Sequence, residues 1–111
     1  MFNIIVNLSD FNSLMNKNAV LFYFSQKKCN VCKVLKPKVE ALVKDEFPKI
    51  ELYYIDTENF PEIAAQNSIF TVPVILIYFN GKEFFRESRN ISISELKTTI
   101  SKPYKILFDE L

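Results

Sequence analysis

The chain has 111 residues, of which 49% are hydrophobic and 24% are charged, close to the averages for globular domains. This composition excludes a disordered or collagen-like chain, and the length favours one compact domain over residues 1–111. The longest apolar run, residues 72–79, has eight residues, whereas a membrane-spanning helix needs about 20. A net charge of +1 gives no overall attraction to nucleic acid or to an anionic membrane.

Residue counts narrow the chemistry further. The chain has no histidine, which excludes Ser-His-Asp and Cys-His catalysis, and its single glycine excludes glycine-rich phosphate loops. A zinc site needs about four ligands, whereas only two thiols are present, so we expect no metal and no cofactor. The first ten residues lack the positive charge and apolar core of a secretory signal, so we expect a cytoplasmic protein. As a separate expectation, we take the protein to be a monomer.

The first part of the chain predicts a strand, a short helix and a buried strand. Residues 2–7 are rich in β-formers, and Ser9 or Asp10 should cap a helix that ends near Lys17. Residues 19–25 are almost entirely apolar, which is typical of a strand that is buried on both faces of a parallel sheet.

Residues 30–47 predict a long helix, in which Pro37 should cause a bend. Its expected apolar stripe consists of Val31, Leu35, Leu42 and Val43. The later predicted elements are strands 51–56, 73–79 and 83–87, a helix over 60–67 capped by Asp56 or Thr57, and a last helix capped by Ser92 or Ser94. The Asn80-Gly81 dipeptide predicts a tight hairpin turn, and the segment after Pro103 is apolar enough to pack.

The predicted order is therefore βαβαβαββα. Strands that alternate with helices predict parallel βαβ units, and the closing hairpin predicts an antiparallel edge. The sequence thus predicts an α/β sandwich around a mixed sheet.

The only two cysteines, Cys29 and Cys32, form a C-N-V-C motif at the predicted start of the long helix. Residues three apart share a helix face, so the two sulfurs can bond or separate with little backbone movement. Unpaired N–H groups at the helix start should lower the pKa of Cys29 below about 8.5, and Lys28 and Lys33 should act in the same direction. The motif predicts that Cys29 attacks a substrate disulfide and that Cys32 resolves the mixed disulfide.

Lysines are concentrated around this motif, since residues 11–39 contain six lysines and no acidic residue. Solvated lysines are the simpler interpretation of such a run. Two buried structural cysteines would also suit a helix start, because a free thiol packs as a small apolar group. The position between a buried strand and a helix favours redox chemistry.

With three further motifs, the C-N-V-C site resembles the thioredoxin family over roughly residues 4–101. Pro37 lies five residues after Cys32, matching the proline that kinks the active-site helix of that family. Thr71-Val72-Pro73 is similar to the loop that carries the family's cis-proline, and Asn80-Gly81-Lys82 is similar to its hairpin turn.

The resemblance implies a thioredoxin-like three-layer α/β/α sandwich with a central mixed sheet. It implies that Pro73 is cis and faces the cysteines, and that the backbone of Val72 pairs with an extended substrate segment. It also implies a thiol–disulfide oxidoreductase whose partners are protein disulfides and a recycling reductase.

The sequence departs from the family pattern at the site itself. Lys28 replaces the usual Trp before the first cysteine, and Asn30-Val31 replaces the Gly-Pro of thioredoxins proper. Tyr23 occupies the position of a buried Asp, and Leu52 the position of its Lys partner, so both halves of an ionic pair are replaced. We expect Tyr23 to pack in the core, with a hydroxyl that is able to donate a hydrogen bond.

Two other functions remain open at this point. A glutaredoxin-like enzyme would use glutathione, whose carboxylates the lysine-rich rim could hold. A non-catalytic module of the same fold would use the peptide groove beside Pro73 and leave the cysteines idle. The pKa of the Cys29 thiol separates the latter from an enzyme.

Overall fold

The computed structural model describes residues 2–5, 7–88 and 90–109. Its elements follow the predicted order βαβαβαββα, which confirms the predicted α/β fold. The strands are β1 (Asn3–Ile4), β2 (Ala19–Ser25), β3 (Glu51–Asp56), β4 (Val74–Phe79) and β5 (Lys82–Ser88). The helices are α1 (Leu8–Leu14), α2 (Asn30–Glu46), α3 (Pro61–Gln66) and α4 (Ile93–Phe108).

The five strands form one mixed sheet in the order β1-β3-β2-β4-β5. Strand β3 pairs in parallel with both β1 and β2, whereas β4 is antiparallel to β2 and β5 is antiparallel to β4. Phe24, near the end of β2, pairs with Val74, the first residue of β4. The segment that follows β2 and the segment that precedes β4 therefore meet at the same end of these two strands.

Helices cover both faces of this sheet, which gives the three expected layers. On one face, buried residues of α2 and α4 such as Leu35 and Leu96 pack with the β2 residues Leu21 and Tyr23. On the opposite face, Phe11 of α1 and Ile63 of α3 pack with the alternate β2 residues Val20, Phe22 and Phe24. Every residue of β2 is buried, as its apolar sequence predicts for a central strand.

Two predicted helix caps were wrong. Asn7 caps α1 in place of Ser9 or Asp10, since its side chain accepts the backbone N–H of Asp10 at 2.8 Å. Helix α3 begins after Phe60 with no side-chain cap, and Pro61 supplies its first turn. The predicted strand over residues 2–7 is shorter in the structure, and its Val6 lies outside the described residues.

The apolar stripe of α2 also differs from the prediction at one position. Leu35, Leu42 and Val43 are buried as expected, but Val31 is 60% exposed, because the first turn places Cys32 on the core-facing side. Helix α4 continues through Pro103 to Phe108, and the burial of Tyr104 offsets the backbone hydrogen bond that proline removes. Within the described part of the chain, no helix is both long and apolar enough to cross a bilayer.

Candidate active site

The loop from β2 to α2 is braced so that it delivers Cys29 to the helix start. The N–H of Cys29 donates to the carbonyl of Gln26 at 3.1 Å, which closes a tight turn. The Gln26 side chain donates to Oγ1 of Thr57 at 3.0 Å, and the N–H of Thr57 donates to the carbonyl of Ser25 at 3.0 Å. The turn is thus held against the chain that leaves β3.

Cys29 is the N-cap of α2, and its Sγ accepts the backbone N–H of Cys32 at 3.1 Å. The sulfurs of Cys29 and Cys32 are joined in a disulfide whose Cα atoms lie 5.2 Å apart, within the usual range for such bonds. A helix N-terminus holds N–H groups without helical partners and carries a partial positive charge. The same geometry would therefore stabilise a negative charge on Cys29 Sγ in the reduced protein.

The two cysteines differ in access to solvent. Cys29 is half-buried at the surface of the core cluster, whereas Cys32 is only 1% exposed. A substrate sulfur can therefore approach Cys29 but has no direct route to Cys32. The order predicted from the sequence, with Cys29 attacking and Cys32 resolving, requires this asymmetry.

Tyr23 lies beneath the motif and combines two roles. Its ring is fully buried, and its hydroxyl donates a 2.6 Å hydrogen bond to the backbone carbonyl of Cys32. Burial, together with the neighbouring Tyr54, raises the pKa of Tyr23 well above its ordinary value. The hydroxyl therefore stays protonated at neutral pH, and Tyr23 holds the first turn of α2 without acting as a base.

Leu52 occupies the second position of the replaced ionic pair and is buried in the same cluster as Tyr23. An aliphatic side chain needs no partner there, and the Tyr23 hydroxyl has the Cys32 carbonyl. The pair of substitutions thus leaves neither an orphan charge nor an unpaired polar group at this place in the core.

The Val72-Pro73 segment directly precedes β4 and lies at the same end of the central strands as the cysteines. Its peptide bond is cis, and Pro73 is buried directly before β4. Val72 is half-buried and, like Cys29, packs against the cluster that contains Cys32. The fold therefore brings together two segments about 40 residues apart that the sequence motifs single out.

Lys28 and Lys33, which flank the motif, are both exposed, and neither forms an ion pair within the residues that the structure describes. Their charges are consequently available to a bound anion or to a thiolate, although water screens them.

Sequence reasoning missed the Gln26–Thr57 brace, and it ranked the Tyr23 hydrogen bond below packing. A glutamine directly after a buried strand is the available signal for such a brace, because polar side chains at strand ends have free backbone and side-chain partners nearby. A tyrosine in a fully buried and almost entirely apolar strand is the corresponding signal for a buried hydrogen bond.

Comparison with known proteins places these features in a family. A family model described as Thioredoxin matches residues 3–102. The chain is 36% identical to "Thioredoxin-like protein YdfQ" of Bacillus subtilis over 84 residues, which cover 76% of this chain and 74% of that protein.

Solved structures agree with this match. Thioredoxin 1 of Thermosipho africanus is 37% identical and has a TM-score of 0.71, with 78% of this chain and 96% of that chain covered. Thioredoxin of Trypanosoma brucei brucei has a TM-score of 0.85 and covers 95% of this chain and 92% of its own, but at 18% identity it supports the fold alone. With the family model spanning nearly its whole length, the chain belongs to the thioredoxin family.

Proposed function

We propose that the chain is a thiol–disulfide oxidoreductase that exchanges protein disulfides through Cys29 and Cys32. Membership of the thioredoxin family together with a CxxC pair supports this reaction class. The observation that carries the assignment of roles is the unequal exposure of the two sulfurs, since Cys29 is half-buried and Cys32 is almost fully buried.

The reaction begins with both cysteines reduced. The Cys29 thiolate attacks one sulfur of a substrate disulfide, a Cys29–substrate disulfide forms, and the second substrate sulfur leaves as a thiolate that takes up a proton. Cys32 then loses its proton and attacks Cys29 Sγ, which breaks the bond to the substrate and releases the second thiol. The substrate has gained two electrons and two protons, and the chain holds the Cys29–Cys32 disulfide. The reverse sequence oxidises a dithiol.

The thiolate of Cys29 is stabilised mainly by the start of α2, whose Cys32 N–H already lies 3.1 Å from its sulfur. Lys28 and Lys33 add a smaller, screened contribution because both are exposed. The backbone of the half-buried Val72, beside Pro73, is the proposed place where an extended substrate segment pairs with the protein.

Repeated turnover requires a source of electrons for the Cys29–Cys32 disulfide. We propose a recycling reductase as that source and a reducing compartment, the cytoplasm, as the setting. The substrates are protein disulfides, since the proposed pairing beside Val72 needs a peptide backbone.

The test is reduction of insulin disulfides with dithiothreitol as the electron source. Cys29→Ser should abolish the protein-catalysed rate, and Cys32→Ser should accumulate a mixed disulfide that mass spectrometry detects. Circular dichroism of both variants controls for folding. Activity that survives Cys29→Ser would remove the mechanism.

Two further measurements separate the alternatives. A requirement for glutathione in place of dithiothreitol would favour the glutaredoxin-like enzyme. Alkylation of Cys29 by iodoacetamide across pH reports its thiol pKa, and a value near 8.5 or above would favour the non-catalytic module.

A further inference from the structure

The first described residues of the chain lie against the helix that carries the cysteines. The backbone N–H of Phe2 donates to the Glu40 carboxylate of α2 at 3.0 Å. The side-chain amide of Asn3 donates to the backbone carbonyl of Leu52 at 3.2 Å, and β1 pairs in parallel with β3. This segment therefore joins α2 to β3 at the edge of the sheet that β1 forms.

The ring of Phe2 belongs to a group of aromatic side chains at this junction. Its centroid lies 5.4 Å from that of Tyr23 and 6.5 Å from that of Tyr54, and the two tyrosine rings are 6.2 Å apart. The ammonium of Lys36, on α2, lies 5.7 Å from the centroid of Phe2 and 4.8 Å from that of Tyr54. A cation is attracted to a ring face at such distances, so the ring of Phe2 is held from the helix as well as from the sheet.

Tyr23 connects this group to the redox motif. It is 0% exposed, whereas Phe2 and Tyr54 beside it are half-buried, so these two rings form the outer side of the group. The Tyr23 hydroxyl donates to the carbonyl of Cys32 at 2.6 Å. A hydrogen bond weakens steeply when its distance and angle change, and the hydroxyl lies at the end of the ring farthest from the backbone. The packing of the Tyr23 ring therefore decides whether this bond is kept.

We propose that Phe2 is a positioning residue for Cys32. Its ring packs against Tyr23 and fixes the direction of the Tyr23 hydroxyl, and this hydroxyl holds the turn of α2 that contains Cys32. A side chain that precedes Cys32 by 30 residues thereby controls how the resolving sulfur is presented to Cys29. This inference rests on the proposed function, because it concerns the step in which Cys32 attacks Cys29 Sγ.

The two steps of the reaction should differ in their dependence on Phe2. Attack on a substrate needs an accessible Cys29 sulfur, and the turn before Cys29 is closed by its own N–H bond to the carbonyl of Gln26. Resolution needs the Cys32 sulfur at the correct distance and direction from Cys29, so it depends on the turn that Tyr23 holds. Loss of the Phe2 ring should therefore slow resolution and leave the attack unchanged.

A disulfide reagent with a coloured leaving group separates the two steps in one experiment. Excess dithiobis(nitrobenzoate) is mixed with the reduced protein; the Cys29 thiolate attacks one reagent sulfur, forms a mixed disulfide and releases one thionitrobenzoate. Cys32 then loses its proton to water and attacks Cys29 Sγ, which forms the Cys29–Cys32 disulfide and releases the second thionitrobenzoate. Stopped-flow absorbance follows a first phase whose rate rises with reagent concentration and a second phase whose rate does not.

Phe2→Ala should slow the second phase about threefold and leave the first unchanged, because it frees the Tyr23 ring. Phe79→Ala is the matched control and should change neither phase. Phe79 is also half-buried against the same core cluster, but it pairs with Ala19, at the opposite end of β2 from the cysteines. Phe2→Leu refills most of the space and should restore most of the rate. Circular dichroism checks folding, and Phe2→Val, a smaller truncation, carries the same expectation if Phe2→Ala does not fold.

A double-mutant cycle tests whether Phe2 acts through Tyr23. Tyr23→Phe removes the hydroxyl and should itself slow the second phase. If Phe2 acts by directing that hydroxyl, the variant with both substitutions should be no slower than the slower of the two single variants. A slowing equal to the product of the two single effects would contradict the route through Tyr23.

An unchanged second phase in folded Phe2→Ala would overturn the proposal. Equal slowing of both phases, or equal slowing by Phe79→Ala, would also overturn it, because either result would reflect a general loosening of the core. Failure of the proposed function has a different signature, since the wild-type protein itself would then show no second phase.

Discussion

The two faces of the central sheet are built from alternate residues of the same strand, yet only one of them supports the redox motif. On the face covered by α1 and α3, Phe22 and Phe24 are fully buried, and their rings lie 4.4 and 6.5 Å from that of Phe11. On the face covered by α2 and α4, Tyr23 is buried equally well, but its hydroxyl reaches the carbonyl of Cys32. The hydroxyl of Tyr23 therefore gives this second face a contact with the reacting turn that Phe22 and Phe24 cannot make.

Removing a ring from the packing face should have the largest effect on stability. Phe22→Ala should lower the free energy of unfolding by about 3–5 kcal/mol, because it leaves a cavity among buried aromatic side chains. Denaturant titration measures this loss. Phe84→Ala, which truncates a ring that is 45% exposed on β5, should cost under about 1 kcal/mol.

The alkylation rate of Cys29 in folded Phe22→Ala should remain at the wild-type value, because the mutated face does not contact the motif. A changed alkylation rate would show that the two faces are coupled and that the face covered by α1 and α3 also supports the motif.

Removing the hydroxyl of Tyr23 should lower the free energy of unfolding less than removing the ring of Phe22 does. Tyr23→Phe should lower the free energy of unfolding by about 1–2 kcal/mol, since the buried carbonyl of Cys32 loses a donor. It should also speed hydrogen exchange in the first turn of α2, which a purely packing role for Tyr23 would not predict. Tyr54→Phe is the matched control, because Tyr54 pairs with Tyr23 in the sheet and its hydroxyl donates no hydrogen bond within the described residues.

The same tyrosine predicts a loss of stability in alkali. Burial raises the pKa of Tyr23 above the ordinary 10.0, so the unfolded chain loses this proton at a lower pH than the native chain does. The stability that follows from the shift is complete below about pH 10 and is lost as pH rises further, by up to about 1.4 kcal/mol per pH unit. Urea titrations between pH 9 and 11.5 should show a shallower decline for Tyr23→Phe, and equal slopes would contradict the assignment.

Tyr53 contributes to the loss of stability at alkaline pH in the same direction as Tyr23, because its pKa is also raised. Burial, with a hydrogen bond to Glu51 and the charge of that carboxylate, raises the pKa of Tyr53 to about 12. Part of the decline should therefore remain in Tyr23→Phe, and the double variant with Tyr53→Phe should reduce it further.

The smallest expected effect lies at the rim of the motif. Lys28→Ala should raise the thiol pKa of Cys29 by a few tenths of a pH unit, because an exposed charge is screened by water. Alkylation of Cys29 across pH measures the change, and Lys44→Ala at the far end of α2 is the control. A shift of more than about one pH unit would mean that Lys28, and not the helix start, dominates the stabilisation of the thiolate.

The elements that the sequence predicts well are those whose signals are local. Strand β2 has the predicted bounds, because an uninterrupted apolar run has few alternatives to a central strand. The caps of α1 and α3 were wrong because several residues near each helix start can accept a hydrogen bond, and the tertiary position of the helix selects among them.

Predictions from the sequence were wrong or incomplete where they depended on neighbouring elements. Val31 fits the apolar period of α2, yet it lies in the first turn of that helix and is 60% exposed there. The hydrogen bond of Tyr23 depends on how closely α2 approaches β2, a distance that no sequence pattern encodes. The cysteine motif itself was located correctly, since its position relative to β2 and α2 is read directly along the chain.

Pro37 changes how the first turn of α2, which carries the cysteines, is held in the protein. Because proline has no N–H, the carbonyl of Lys33 receives no helical hydrogen bond from residue 37. The first turn of α2 is therefore joined to the rest of the helix by one backbone hydrogen bond fewer. The hydroxyl of Tyr23 provides a hydrogen bond from β2 to this turn, at the carbonyl of Cys32. The first turn of α2 is thereby held to the middle of the sheet as well as to its own helix, so bending of α2 beyond Pro37 would leave the position of this turn over β2 undisturbed.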